Sequence, residues 1–358
     1  MNGSVIRLLY QGLPPLKDHI PVAQPFFPGA LAFSPLALPG SAGQADDETA
    51  WRACEKNGIR WIEQDIGHFP APVYISGPST SSLDVARILA EAGLFPEWAS
   101  VLSLKQSAGR GQMRRAWSSP EGNIYAAIRL PCASPFDTAA AAPACGALLA
   151  EALHQEGCPV MLKWPNDILQ AGESFRTGVM PGRDDCHKVG GMLLEERNGV
   201  LTAGIGLNIT SCPDSSTLRD NYAFSAGTLT LADGTPFSAA FKENGKKNNN
   251  IVTIFTLWER LAGSIFSCYA KITSLGKWWS ALAEKHLAFR GCRVTLADAC
   301  PEKEGMVRIP SEGVVDGVTE SGALRLITAY GMETFVGGSL LPAERSQKEP
   351  SESVSLSE

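Results

Sequence analysis

The chain has no run of 18 consecutive apolar residues, no Cys-x-x-Cys pair, no clustered histidines and no excess of positive charge. Each absence removes a class of function. Without a run of roughly 18 apolar residues, no helical membrane span is expected. The balance of 31 Lys+Arg against 37 Asp+Glu, a net −6, argues against a nucleic-acid protein, because phosphate contacts need a basic face. Nine cysteines, an odd number scattered without pairing, read as reduced thiols rather than a disulfide framework. Five dispersed histidines offer no metal cluster. The first residues lack a basic head joined to an unbroken apolar stretch, and the apolar run from Ala30 to Leu38 is cut by Pro35, so no secretory leader is expected and the location is read as cytoplasmic.

What is present suits two or three domains with a real core: 358 residues, 44% of them hydrophobic. Residues 1–70 read as an irregular extension, since Pro14, Pro15, Pro21, Pro25, Pro28, Pro35 and Pro39 break both helix and sheet. That proline density leaves no room for a helix-turn-helix. Within the extension a short helix is expected over residues 46–57, stopped by Gly58, and a strand near 60–62. Residues 71–288 alternate strand and helix signals, an α+β layer fold with a mixed sheet and flanking helices. Ser79, Thr80 and Ser81 offer a hydroxyl cap to a helix through Leu83, Val85, Ala86, Ile88 and Leu89. Strands are expected at 100–104, 124–130, 160–163, 190–195 and 201–208, and an Ala/Leu-rich helix at 139–154. Residues 242–250 are loop by composition; Ile254, Leu257, Trp258, Leu261 and Ile265 then recur at helical steps, and a second helix covers 275–287. Residues 289–343 carry short strands at 293–296, 313–318, 323–327 and 333–336, a small β-barrel, and the Ser/Glu-rich tail 344–358 is expected to be disordered.

Four segments carry chemistry. In Gln106-Ser107-Ala108-Gly109-Arg110-Gly111-Gln112-Met113-Arg114-Arg115-Ala116-Trp117, glycines around an arginine let backbone N–H groups approach an anion, and Trp117 offers a stacking face. An exposed Gly/Arg loop with a hydrophobic anchor fits equally well. Lys163-Trp164-Pro165-Asn166-Asp167 follows a strand: the lysine suits phosphate, and Asp with Asn suits Mg²⁺. Pro-Asn-Asp is also ordinary turn chemistry. Lys188-Val189-Gly190-Gly191-Met192-Leu193-Leu194-Glu195 brings a lysine into an apolar strand with room above two glycines, or else an edge lysine beside a glycine bulge. Gly204-Ile205-Gly206-Leu207-Asn208 permits close backbone approach followed by an amide, a weak signal alone.

Together and in this order, these segments resemble the biotin protein ligase family, monofunctional type without a helix-turn-helix domain. The resemblance covers about residues 73 to 342, and Phe335-Val336-Gly337-Gly338-Ser339-Leu340 is similar to the family's closing barrel strand. It implies a class II synthetase-like biotin/lipoate ligase catalytic fold followed by an SH3-like barrel. The implied reaction is ATP-dependent attachment of biotin to a lysine of a biotin carboxyl carrier domain, through biotinyl-5′-AMP, with ATP and Mg²⁺ required. By position, Arg110 and Lys188 match catalytic residues. Ser79, Thr80, Ser81, Gln106, Gly109, Arg110, Gly111, Gln112, Lys188, Gly191 and Leu193 match the biotin side. Arg115, Trp117, Lys163, Asn166, Asp167 and Asn208 match the nucleotide side, with Asp167 as the Mg²⁺ ligand. A homodimer joined through a sheet edge is common in the family. Neither nucleic acid nor membrane is an expected partner.

The pattern departs from the family in three places. Gln112 stands where a second arginine is usual and Arg114 where a glycine is, which predicts faster loss of the adenylate, with Arg114 or Arg115 compensating. The stretch 171–187 between the two lysine motifs is longer than usual and reads as a surface flap. Ser81 replaces an asparagine. Three other functions fit parts of the pattern: a lipoate or octanoate ligase, a biotin-responsive repressor, and a non-catalytic biotin-binding scaffold. The Lys163–Asp167 motif favours biotin, the proline-rich start opposes a repressor, and retention of Arg110, Lys163, Asp167 and Lys188 opposes lost chemistry.

Overall fold

A computed structural model describes residues 5–9, 52–65, 71–112, 115–171, 185–213, 224–239, 250–274, 279–301 and 311–342. Its centre is an eleven-stranded mixed sheet, ordered β2-β3-β1-β4-β5-β6-β10-β9-β8-β7, with the short β11 added beside β9. The strands are β1 (Val5–Leu9), β2 (Arg52–Lys56), β3 (Ile59–Asp65), β4 (Val73–Ser76), β5 (Ser100–Ser103), β6 (Ile124–Arg129), β7 (Val160–Lys163), β8 (Asp167–Ala171), β9 (Cys186–Arg197), β10 (Val200–Leu207) and β11 (Ser225–Ala226). β4 lies parallel to β1 and β5, while β5, β6, β10, β9, β8 and β7 run antiparallel in succession.

Two expectations for the first 70 residues are corrected. They are not irregular throughout, because β1, β2 and β3 extend the main sheet, with Ile6 pairing Val73 of β4. Residues 52–56 form a strand rather than the end of a helix, and Asn57-Gly58 is a hairpin turn with both residues at positive φ. Asn-Gly between alternating segments favours the type I′ hairpin, and the helical reading overlooked it. Residues 10–51, which include all the named prolines, lie outside the described residues, as do 172–184 of the anticipated flap, Arg114, most of the 242–250 loop and the tail.

Strand alternation divides the sheet's two faces. One face, carrying Ile75, Leu102, Ile128, Ile205, Leu207 and Met192, packs on α2 (Ala141–Gln155) and α3 (Asn250–Ser274). A Cβ on Gly146 of α2 would stand 2.5 Å from Leu162 Cδ1, so glycine lets the helix sit close to β7. Pro143 is accommodated in the first turn of α2, where backbone N–H groups have no helical partner. The other face, with Tyr74, Val101, Ala127 and Leu193, packs on α1 (Ser82–Glu91). Ser81 caps α1 as anticipated, its hydroxyl accepting from the Leu83 N–H.

After α4 (Trp279–His286) the chain enters a closed barrel of β12 (Arg293–Pro301), β13 (Ser311–Val318), β14 (Leu324–Thr328) and β15 (Gly331–Pro342). A mixed sheet with flanking helices followed by a small C-terminal barrel is the fold class read from the sequence.

Candidate functional site

The site grows from the α1 face of the sheet, where it runs past the end of that helix. In β10, Ile205 and Leu207 point into the core, so Gly204 and Gly206 face the site. A Cβ on Gly206 would lie 2.6 Å from Trp117 Cε2, and Gly206 therefore lets the indole lie flat on the strand. Gly206 pairs with Gly191 of β9, which pairs with Asp167 of β8. This row of two glycines and one carboxylate is the bare floor of the site.

Lys188 reaches that floor because the strand pairing is irregular. Ile168 pairs Gly190 but Leu169 pairs Lys188, so Val189 is the extra residue of a bulge. Simple alternation would put Lys188 and Gly191 on opposite faces. The bulge puts them on the same one, and the Lys188 ammonium stands 2.5 Å from Asp167 Oδ1 and 5.4 Å from the Trp117 ring centroid. Lys163, the last residue of β7, pairs Asp167 Oδ2 at 3.1 Å from the other side, with its side chain only 7% exposed. Burial works against ionising Asp167, but Lys188 and Lys163 outweigh it and hold the carboxyl at about 2. Asn166 fixes the turn between these lysines. Its side-chain amide donates to the Met192 carbonyl at 2.7 Å, and the Met192 N–H donates back to its carbonyl at 2.9 Å.

The glycine–arginine loop folds back on itself. Trp117 N–H donates to the Gly109 carbonyl, and the Gly111 N–H donates to that of Arg115. A Cβ on Gly109 would lie 2.5 Å from the Trp117 carbonyl oxygen, so no larger residue fits there. Arg110 leaves the loop toward α1, where its guanidinium meets Asp84 at 3.0 Å and Glu195 at 3.2 Å. Burial opposes its charge, yet the two carboxylates raise its pKa above the ordinary value. Asp84 is oriented in turn by the Thr80 hydroxyl, which donates to it at 2.6 Å.

The anticipated residues thus gather into two charged groups. Arg110 sits with Asp84 and Glu195; Lys163 and Lys188 share Asp167. Both groups are anchored on β9, Glu195 lying seven residues beyond Lys188. Leu193 shares the site face with Gly191 and packs toward α1. Gln112 and Arg115 are exposed. Asn208 donates to the Gly227 carbonyl at 3.0 Å and ties the end of β10 to the segment after β11. The polar side chains assigned to the biotin side have partners within the protein: Ser79 donates to Ser103 Oγ, Ser81 caps α1, and the Gln106 amide accepts from the Ser82 N–H and donates to Ser119 Oγ. A ligand reaching them must use their remaining lone pairs or displace these bonds.

Sequence reasoning missed Asp84 and Glu195, and missed β8 by ending its motif in a turn. Asp84 sat in the first turn of a capped helix, where an acid reads as a dipole partner rather than a site group. A metal ion held by Asp167 does not fit the donor set, since both carboxylate oxygens already face ammonium groups. Among the described residues no three His, Cys, Asp or Glu side chains are grouped to hold one. The Trp117 indole N–H, by contrast, is buried with no hydrogen-bond partner among the described residues, which suits an acceptor-bearing ligand.

Known proteins resemble the chain over these same segments. Residues 96–210, which hold both lysine motifs, the loop and both glycine strands, match the biotin/lipoate A/B protein ligase family. The chain is 33% identical over 151 residues to the bifunctional ligase/repressor BirA of Bacillus subtilis, a match covering 40% of this chain and 42% of that protein. It is 30% identical over 131 residues to the biotin–[acetyl-CoA-carboxylase] ligase of Paracoccus denitrificans, covering 33% of this chain and 48% of that one. The chain therefore aligns with under half the length of these relatives. In three dimensions it superposes on the biotin protein ligase of Aquifex aeolicus in complex with biotin and ATP, with TM-score 0.51 and 20% identity over 76% of this chain and 98% of that one. This last likeness is one of fold. Among the described residues no helix is long and apolar enough to cross a membrane.

Proposed function

We propose that this ligase-family chain attaches biotin to one lysine of a biotin carboxyl carrier domain, using ATP and passing through biotinyl-5′-AMP. The observation that carries the reading is the pair of ammonium groups, Lys163 and Lys188, sharing one carboxylate beside the open glycine floor. Adenylation brings two anions together, so its transition state gains most from cations already in place. Two lysines around one acid leave a net positive centre. Asp167 fixes both ammoniums, the buried Lys163 and the partly exposed Lys188, so they need not reorganise when charge develops.

In the first step a carboxylate oxygen of biotin attacks the α-phosphorus and the bond to the pyrophosphate oxygen breaks. Lys188 lies where it can face both the acyl oxygen and the phosphate, while Lys163 offsets charge from the deeper side. Trp117 offers a flat face and an unpartnered donor to the nucleotide. Arg110 serves the biotin side by exchanging part of its contact with Asp84 or Glu195 for the incoming ligand. In the second step the amine of the carrier lysine attacks the acyl carbon, the bond to AMP breaks, and the amine loses a proton. No side-chain nucleophile is required. Mg²⁺ enters this reading only with the nucleotide substrate. A cytoplasmic location, a homodimer and the division of the chain at residues 288 and 343 belong to the same reading.

The test is to incubate the protein with biotin, ATP and a purified carrier domain and weigh the carrier. An increase of one biotinyl group that requires ATP and disappears when the acceptor lysine is replaced by arginine is expected. No gain with biotin, but a lipoyl or octanoyl gain when lipoate or octanoate is supplied in its place, would replace biotin in this scheme.

A further inference from the structure

Trp164 occupies the middle of the lysine–aspartate motif, yet its side chain points away from the site. It is 1% exposed, and its indole N–H donates to the carbonyl of Gly322 at 2.8 Å. Gly322 lies in the turn joining β13 to β14, at the tip of the C-terminal barrel. That tip is built to fit. Gly322 has φ +89°, and a Cβ there would lie 2.6 Å from Ala140 Cα at the start of α2. Thr319 closes the turn, its N–H donating to the Ala323 carbonyl and its Oγ1 accepting from the Ala323 N–H at 3.0 Å. Trp279 of α4 donates its indole N–H to the Glu320 carbonyl at 3.3 Å. Behind the tip, Arg325 joins Asp316 at 2.7 Å and Glu284 of α4 at 2.9 Å, and Glu284 also pairs Arg290 at 3.2 Å. The Ala288 N–H donates to the Leu162 carbonyl at 2.9 Å, one residue before Lys163.

We infer that Trp164 is a positioning residue through which the barrel tip sets the Lys163–Asp167 turn, so that the barrel is part of the nucleotide side of the site without touching the ligand. Trp164 is covalently next to Lys163 and two residues from Asn166. A buried indole held at its ring and at its N–H fixes the backbone on either side, and thereby the direction in which Lys163 meets Asp167. Releasing the N–H leaves the Gly322 carbonyl unpaired and lets the motif turn relax toward the side the barrel braced. Arg110 is carried by the loop and held by Asp84 and Glu195, outside this brace, so the biotin side should be less sensitive to it.

The inference rests on the ligase reading for its kinetic readout, and a second readout keeps it independent. Trp164→Phe keeps the ring and removes the N–H. Thr319→Val loosens the tip from the barrel side at a partly exposed position, and it decides the matter should Trp164→Phe not fold. Both variants should raise the KM for ATP about fivefold, the effect of one lost neutral hydrogen bond, with the KM for biotin within about twofold. Both should also speed amide hydrogen exchange at residues 163–171 while leaving residues 106–112 as in the unaltered protein. Unchanged exchange at 163–171, or equal rises in both KM values, would overturn the positioning role. If the unaltered protein shows no biotin-dependent activity, the ligase reading fails and the exchange measurement alone decides the inference.

Discussion

Lys188 Nζ lies 2.5 Å from Asp167 Oδ1, and a one-residue bulge at Val189 is what brings the two onto one face of the sheet. Lys163 holds the other oxygen of the same carboxylate, so one buried acid sets the direction of both ammoniums. Removing different members of this trio should therefore have different consequences.

Lys188→Ala leaves Asp167 paired with Lys163 and takes away the half-exposed partner. The fold should persist, with a midpoint of thermal unfolding near that of the unaltered protein, while adenylation falls by about a hundredfold or more for a lost transition-state cation. Asp167→Asn instead leaves a buried lysine facing a second one without a counterion, which costs about 3–5 kcal/mol by analogy with broken buried pairs. Thermal melts and adenylation rates of the two variants check this. Near-normal turnover in Lys188→Ala would refute the role given to it.

Acid should unfold the protein partly through Asp167 and Glu151. Glu151 is also held at about 2: burial opposes its charge, but Lys285 and His286 each meet its Oε2 at 2.6 Å. Because both folded values lie below the ordinary 3.8 and 4.5, their contribution is complete above those values and is lost as pH falls toward 2. For Asp167 the shift corresponds to roughly 2 kcal/mol. Denaturant midpoints measured from pH 6 to pH 2.5 should fall steeply below pH 4.5 and less steeply in Glu151→Gln. Equal slopes in the two proteins would contradict the assignment.

The glycine floor gives a steric prediction. Gly206→Ala sets a methyl 2.6 Å from the Trp117 ring, so the indole must lift from β10 and lose its contact with the Lys188 ammonium. The KM for ATP should rise, and Trp117 fluorescence should shift to longer wavelength as the ring becomes wetter. An unchanged spectrum and KM would show that the ring is not held by that floor.

Gln112 gives a prediction about intermediate retention. It is exposed and stands where the resembling family usually has arginine. Gln112→Arg should slow release of the adenylate, measured by chasing preformed radiolabelled intermediate. An unchanged off-rate would remove any part for this position in holding it.

Much of this was legible in the sequence because local chemistry and global fold agreed. The alternation of Gly204, Ile205, Gly206 and Leu207 already separates a core face from a bare one, and Ser81 already reads as a cap. The two lysines, Asp167 and Trp117 come from separate segments, and the structure brings all four together. What was hidden depends on pairing between distant strands. The bulge at Val189 shows only in the register of β8 against β9, and the ties of Arg110 to Asp84 and Glu195 span 26 and 85 residues. Of the strands within the first 65 residues, β3 was anticipated near 60–62, whereas β1 and β2 were obscured by the prolines between them, and the Asn57-Gly58 hairpin was mistaken for a helix end. Trp164, read only as part of a motif, proved to face the barrel 158 residues away.

The most direct test of the ligase reading is ATP–pyrophosphate exchange with biotin, lipoate and octanoate supplied separately. The arrangement of Lys163, Asp167 and Lys188 beside the glycine floor predicts exchange that requires biotin and is largely lost in Lys188→Ala. Exchange that requires lipoate or octanoate but not biotin, or no exchange with any of them, would contradict it.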